Sequence, residues 1–160
     1  MTTLLIGYGN PLRGDDGLGP FVAEAVGRRK WQGVKALAAP QLLPELAEEL
    51  AAADAALFID ACLGGHDVEV REIEDGGGEP GAFTHGGSPA SLLALAAALY
   101  GRAARAWIVS VRGERFDLGE GLSPPARRNA ESALIRIAEL LAGSSTVGRR
   151  DSERLAGEEL

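Results

Sequence analysis

Cysteine, histidine and lysine are all scarce in this chain of 160 residues. One cysteine and two histidines exclude an intramolecular disulfide, and they exclude zinc sites built from four cysteines or from two cysteines and two histidines. Such cysteine usage suits a reducing compartment, so we expect a cytoplasmic protein. The only lysines are Lys30 and Lys35, and the formal net charge is -7. Because binding to a phosphate backbone depends on clustered basic side chains, we expect no nucleic-acid partner.

Long apolar runs and a basic N-terminal segment are also missing. The first apolar run ends at Gly7, and no stretch approaches the roughly 18 apolar residues that a membrane span requires. We therefore expect neither a signal peptide nor membrane insertion. Hydrophobic residues are plentiful at 46% of the chain, which is enough for one compact core. We expect a single, monomeric domain over residues 1–142. A flexible tail is expected over 143–160, where the composition becomes polar and charged.

Short apolar runs alternate with stretches of helical periodicity. The predicted strands are 3–8, 34–38, 55–60, 67–73 and 106–111, the fourth with the alternating pattern of a sheet edge. A first helix runs to about Gly27, a second over 44–53, a third from Ser88-Pro89 to Leu99, and a fourth from Ser123-Pro124 to about Leu141. This order predicts an α/β fold, a three-layer sandwich with a mainly parallel, twisted sheet of about five strands flanked by helices.

Candidate functional residues follow the predicted strands, because ligands of α/β folds bind beyond the carboxyl ends of the strands. Asp16 lies just past the first strand and Asp60 ends the third. Two carboxylates that converge at this edge of the sheet indicate a binding site for a cation. His85, in a glycine-containing loop, is the predicted third ligand, and His66 ranks second because it also fits a simple turn. One imidazole with two carboxylates suits nickel, manganese, iron or zinc without choosing among them.

The same residues also admit structural interpretations. The pair Asp15 and Asp16 fits an ordinary helix cap, and we expect one of the two to be only a cap. Cys62 is expected to be a small buried side chain. The first loop resembles a dinucleotide-binding turn, but Leu12 stands where the third glycine is required and the acidic pair opposes a pyrophosphate. The missing G-x-S-x-G motif argues against serine hydrolase chemistry.

Five segments together carry a family pattern that spans about residues 3 to 142. They are LIGYGNPLRGDDGLG at 5–19, QLLPEL at 41–46, FIDA at 58–61, TH at 84–85 ahead of Ser88-Pro89 and LLAL at 92–95, and GEGLSP at 119–124. The N-terminal segment is the most specific of the five. With these motifs, the chain resembles the nickel-iron hydrogenase maturation endopeptidases.

The resemblance implies a hydrolase that removes the C-terminal extension of the hydrogenase large subunit after nickel insertion. It implies the immature large subunit as partner, and nickel that arrives with this substrate and serves as the recognition element. The family's metal-contacting residues map onto Asp16, Asp60 and His85. Asp16 and Asp60 are the candidates for an aspartyl-type catalytic role, since either carboxylate can act as a base. Nickel as Lewis acid or water activator is the open alternative.

Two other classes of protein remain open as alternatives. One is a non-catalytic, nickel-dependent binder or chaperone of the immature large subunit. The other is a phospho-acceptor receiver-like signalling domain, which also has an acidic pair after its first strand. A receiver requires a lysine after the last strand, where this chain has Arg112-Gly113.

Overall fold

A five-stranded sheet forms the centre of the computed structural model, which describes residues 1–74 and 87–158, with side chains through residue 143. The strand order is β2-β1-β3-β5-β4, and every neighbouring pair is parallel except β4 with β5. The strands are β1 Thr3–Tyr8, β2 Val34–Ala39, β3 Ala55–Leu63, β4 Val68–Ile73 and β5 Arg105–Gly113. The predicted mainly parallel sheet of about five strands is therefore confirmed, as is the place of the alternating strand at an edge.

Helices cover both faces of this sheet, because its strands carry apolar side chains on both sides. Leu5 packs in one core with helices α1 and α4, and its neighbour Ile6 packs in the other core with α2 and α3. The helices are α1 Leu18–Arg29, α2 Leu46–Ala52, α3 Pro89–Tyr100 and α4 Pro124–Glu158, and a short 3-10 helix at Gly14–Gly17 precedes α1. This arrangement confirms the predicted three-layer sandwich.

The two Ser-Pro pairs begin helices as predicted. The Ser88 hydroxyl accepts a hydrogen bond from the Ser91 N–H at 3.1 Å, and the Ser91 hydroxyl accepts one from the Ser88 N–H at 2.8 Å. The Ser123 hydroxyl accepts from the Ala126 N–H at 3.3 Å. These bonds satisfy backbone donors that the first helical turn leaves without partners. None of the described helices combines the length and hydropathy needed to cross a bilayer.

The predicted ends of the third strand and of the fourth helix are wrong. Asp60 does not end its strand, because β3 continues to Leu63 and pairs there with the far end of β5, beyond the last residue of β1. It still lies one residue past Ile59, where the pairing of β3 with β1 stops. Helix α4 extends to Glu158 rather than to about Leu141, since the chain after Gly143 contains no proline to end it. The predicted flexibility of 143–160 stays a prediction.

Candidate functional site

The turn that carries Asp16 lies directly on the ends of β1 and β3. Gly9 has φ +143°, and a Cβ there would collide with the Asp16 carbonyl oxygen. At Gly19, in the first turn of α1, a Cβ would collide with the carbonyl oxygen of Tyr8 and come within 2.7 Å of that of Ile59. Only glycine permits these approaches, so the glycines of the first motif allow the acidic turn to contact the strand ends.

The Asp16 carboxylate is half-buried and held by one backbone donor. The Asn10 N–H donates to Asp16 Oδ2 at 2.7 Å. Asn10 is in turn ordered by its own side chain, whose Oδ1 accepts from the Leu12 N–H at 3.0 Å. This bond directs one carboxylate oxygen toward the Asn10 amide, while the side chain stays partly open to solvent.

Asp60 lies on the central strand β3 and, like Asp16, is half-buried. Burial raises the pKa of this carboxyl above its usual range, and the negative charge of Asp16 raises it further. Hydrogen bonds from the Tyr8 hydroxyl and the Ala61 N–H oppose this increase without cancelling it. The turn that carries Asp16 packs against β3 at Ile59, because a Cβ on Gly19 would come within 2.7 Å of the Ile59 carbonyl oxygen. Asp60 is the next residue of β3, so two of the predicted site residues lie in the same region, although the structure assigns neither a role.

Tyr8, which the sequence analysis did not select, contacts Asp60 from the neighbouring strand. It is the last residue of β1, one position past the Gly7–Ile59 pair, so that Tyr8 and Asp60 lie side by side. Burial, the charge of Asp60 and the hydrogen bond to it all raise the pKa of the tyrosine far above its usual range. Tyr8 therefore stays a neutral phenol beside the Asp60 carboxyl. Its position at a strand end was visible in the sequence, but its partner was not.

The two histidines differ in what the structure says of them. His85 lies outside the described residues, so its assignment as third ligand stays a prediction. His66 is exposed in the turn between β3 and β4. Within residues 1–74 and 87–143, no three His, Cys, Asp or Glu side chains are grouped so that they could hold a metal ion. Among the described residues, the candidate metal ligands of this site are therefore the two carboxylates of Asp16 and Asp60.

Asp15 turns away from this pair and is fully buried, at 0% exposure. Its carboxylate accepts from the N–H groups of Glu114, Arg115 and Ser123 and from the Ser123 hydroxyl, at 2.7 to 2.8 Å. Burial opposes ionisation, but the hydrogen bonds outweigh it and hold the pKa of Asp15 below its usual range. The expectation that Asp15 or Asp16 caps the first helix is wrong: Gly17 occupies the N-cap, without a side-chain bond.

Cys62 is half-buried rather than buried, because it lies on the part of β3 that extends past the end of β1. Burial raises the pKa of its thiol, and the charges of Asp60 and Glu69 add to the increase, with a partial offset from Arg112. A raised pKa lowers the fraction of thiolate, the form that attacks carbonyls. Cys62 is thus a poor nucleophile.

Several solved structures resemble this fold. The hydrogenase maturating endopeptidase HybD from E. coli has a TM-score of 0.71 and 24% identity, with 90% of this chain and 94% of that chain covered. The NiFe hydrogenase maturation protease HycI from Thermococcus kodakarensis KOD1 has a TM-score of 0.66 and 26% identity, with 88% and 92% covered. An endopeptidase from Escherichia coli, solved in solution, has a TM-score of 0.69 and 25% identity, with 90% and 94% covered. No family model and no curated protein matches.

These matches extend over nearly the whole chain. They confirm the predicted fold and the resemblance that the five motifs indicated. The predicted protease function agrees with the names that these structures carry.

Proposed function

We propose that this chain, which has the fold of the hydrogenase maturation endopeptidases, is a hydrolase that removes the C-terminal extension of a nickel-iron hydrogenase large subunit. One observation carries the proposal. Within a fold whose named examples are maturation proteases, the half-buried Asp16 and Asp60 lie at the same edge of the sheet, where the acidic turn packs on the ends of the β1–β3 pairing. The cytoplasmic location, the monomeric state and the large-subunit partner belong to the same proposal.

The pair of carboxylates suits a metal ion that arrives with other ligands. Two carboxylates are few ligands for a divalent transition metal, and within residues 1–74 and 87–143 no third His, Cys, Asp or Glu side chain is grouped with them. Nickel already bound by thiolates of the immature large subunit would gain Asp16 and Asp60, with His85 as the predicted third ligand. The ion is thus part of the substrate, and it is recognised only after it has been inserted.

The electrostatics of the pair favour this encounter. Two neighbouring carboxylates repel each other, and burial of Asp60 adds to the free-energy cost of ionising both. A divalent cation placed between them relieves that cost, because it offsets both charges. A large subunit without nickel brings no such compensation, so the site discriminates between loaded and empty substrate.

Hydrolysis would follow once the peptide lies beside this pair. Water attacks the scissile carbonyl and transfers a proton to a carboxylate, and the departing amine takes up a proton as the C–N bond breaks. Asp16 or Asp60 can accept the first proton. The Tyr8 hydroxyl lies beside Asp60 and stays protonated, so it is available to donate a hydrogen bond to that side chain. Nickel, when it is present, supplies Lewis-acid polarisation.

The test is to incubate the purified protein with immature large subunit, either nickel-loaded or nickel-free, and to follow substrate mass. We expect loss of a C-terminal peptide from the loaded form alone. An Asp16→Asn, Asp60→Asn double variant serves as the inactive control. Cleavage of both forms would support the protease activity but would show that nickel is not the recognition element. Absence of cleavage from both would contradict the proposal.

A non-catalytic, nickel-dependent binder of the immature large subunit is the second candidate, because a pair of carboxylates can contact a substrate-bound metal without cleaving the chain. It predicts nickel-dependent co-elution with the large subunit and an unchanged substrate mass. The receiver-like alternative is disfavoured by the sheet. Receiver domains have the order 2-1-3-4-5, whereas here β5 lies between β3 and an antiparallel β4.

A further inference from the structure

The buried Asp15 carboxylate joins the acidic turn to two segments that follow about 100 residues later in the chain. Asp15 Oδ2 accepts from the N–H groups of Glu114 and Arg115 at 2.7 and 2.8 Å, and from the Ser123 hydroxyl at 2.7 Å. Its Oδ1 accepts from the Ser123 N–H at 2.7 Å. The acidic turn is thereby tied to the segment after β5 and to the first turn of α4. We propose that Asp15 is a positioning residue that sets the direction of the Asp16 carboxylate, an inference that rests on the proposed function.

The cradle around Asp15 is built for a carboxylate. All four groups that contact the Asp15 carboxylate are hydrogen-bond donors. One of the residues that supply them, Ser123, is the N-cap of α4, where the helix dipole favours negative charge. An amide in place of the carboxylate would turn an NH2 group toward these donors. Asp15 is also closely packed against Gly113, because a Cβ on Gly113 would come within 2.6 Å of Asp15 Cβ and 2.9 Å of Phe116 Cζ.

Backbone bonds make the connection stiff. The Asp15 N–H donates to the Arg115 carbonyl at 2.6 Å, and the Gly14 N–H donates to the Gly119 carbonyl at 2.9 Å. The Gly119 N–H donates in return to the Leu12 carbonyl at 2.9 Å. Three backbone bonds therefore join the acidic turn to the segment after β5, in addition to the buried Asp15 carboxylate.

The connection reaches the site because Asp15 and Asp16 are consecutive residues of the 3-10 helix. Three residues complete a turn of such a helix, so neighbouring side chains point about 120° apart. With Asp15 fixed toward Ser123, the Asp16 carboxylate points to the Asn10 amide. If the Asp15 side chain loses its partners, only the backbone bonds hold the turn, so its orientation is less tightly constrained, and a displacement of about 1 Å at a catalytic group can cost about 100-fold in rate.

The Asn10 amide offers a direct readout of Asp16, since it donates to Asp16 Oδ2 at 2.7 Å. Its nuclear magnetic resonance shift in the free protein is compared between the wild type, Asp16→Asn as reference for the lost bond, and Asp15→Asn. We expect the Asn10 amide resonance of Asp15→Asn to move toward the Asp16→Asn position. Processing of nickel-loaded substrate should fall about 100-fold in kcat, with little change in KM.

A matched control separates positioning from loss of stability. Ile137 is fully buried in α4, away from the carboxylates, and Ile137→Val should lower the melting temperature without moving the Asn10 amide. A folded Asp15→Asn protein with the wild-type Asn10 shift would overturn the proposal. If the Asn10 amide moves while even the wild type cleaves nothing, the proposed function fails and the positioning role stands.

Ser123→Ala keeps the proposal testable if Asp15→Asn does not fold. It removes the hydroxyl donor and leaves the three N–H donors to Asp15 in place. We expect a smaller movement of the Asn10 amide in the same direction and a loss of processing of about tenfold, equivalent to about 1.4 kcal/mol. An unmoved Asn10 amide in this variant would also overturn the proposal.

Discussion

Two neighbouring aspartates occupy opposite environments in this molecule. We call the buried contact of Asp15 with Glu114, Arg115 and Ser123 the anchor, and the half-buried pair of Asp16 and Asp60 the cleft. In the anchor, four donors stabilise one negative charge that has no access to solvent. In the cleft, the carboxyl groups lie in the same region, and one backbone N–H donates to Asp16. The anchor therefore stabilises the fold, whereas the cleft carboxylates have fewer hydrogen-bond donors.

The largest expected effect lies in the cleft. Asp60→Asn and Asp16→Asn should each lower the processing rate by about 100- to 10,000-fold, since each removes a candidate base and metal ligand. Their melting temperatures should stay near that of the wild type, because removing one charge also removes the repulsion within the pair. Glu131→Gln, exposed on α4, is the control and should process normally. Full activity in either cleft variant would contradict the assignment.

The anchor should show the reverse pattern. Asp15→Ala leaves buried donors without an acceptor and removes hydrogen bonds to a charged group, each worth about 1.5 to 3 kcal/mol. We expect a loss of about 3 kcal/mol or more in the free energy of unfolding, measured with urea. Asp16→Ala, with one backbone bond at a half-buried position, should lose about 1 kcal/mol. Equal losses in the two variants would remove the contrast between anchor and cleft.

The predicted third metal ligand is tested by replacing each histidine with alanine in turn. His85→Ala should lower processing of nickel-loaded substrate by about 10- to 100-fold, as expected for loss of a group that supports metal binding. His66→Ala, in the exposed turn between β3 and β4, serves as the matched control and should process normally. The opposite result would transfer the ligand role to His66.

The smallest effect is expected at Tyr8. Tyr8→Phe removes the hydroxyl that donates to Asp60 and leaves the ring in place. We expect a loss of about tenfold in processing, equivalent to about 1.4 kcal/mol and within the range of one hydrogen bond to a charged group. Tyr100→Phe, half-exposed at the end of α3, is the control. Unchanged processing in Tyr8→Phe would show that the cleft does not depend on this donor.

Local patterns in the sequence predicted most of the fold. The apolar run of β1 was predicted at 3–8 and is observed at Thr3–Tyr8, because a short apolar run that ends in glycine has few alternatives. The α3 start at Ser88-Pro89 was also predicted, since its cap bonds involve residues three positions apart. Periodicity and capping act over one or two turns, so a single chain suffices to detect them.

What was missed depends on residues far apart in the chain. The continuation of β3 beyond Asp60 requires pairing with β5, about 50 residues later. The role of Asp15 requires donors 99 to 108 residues away, so a pair of aspartates before a helix was interpreted as a cap. Asp16 and Asp60 were selected because the topology of α/β folds directs strand ends to one edge. Tyr8 was overlooked because its partner belongs to another strand.

The distance along the chain between Asp15 and Ser123 also bears on when the cleft is completed. The contact closes a loop of 108 residues, and such contacts form late because their entropic cost must be offset by structure that already exists. During synthesis, the N-terminal motif emerges long before residues 114–123 and cannot be oriented by them. A nascent or truncated chain that ends before residue 114 therefore carries both cleft carboxylates without the contacts that orient the acidic turn. Competence for cleavage then arises only when residues 114–123 have folded against that turn.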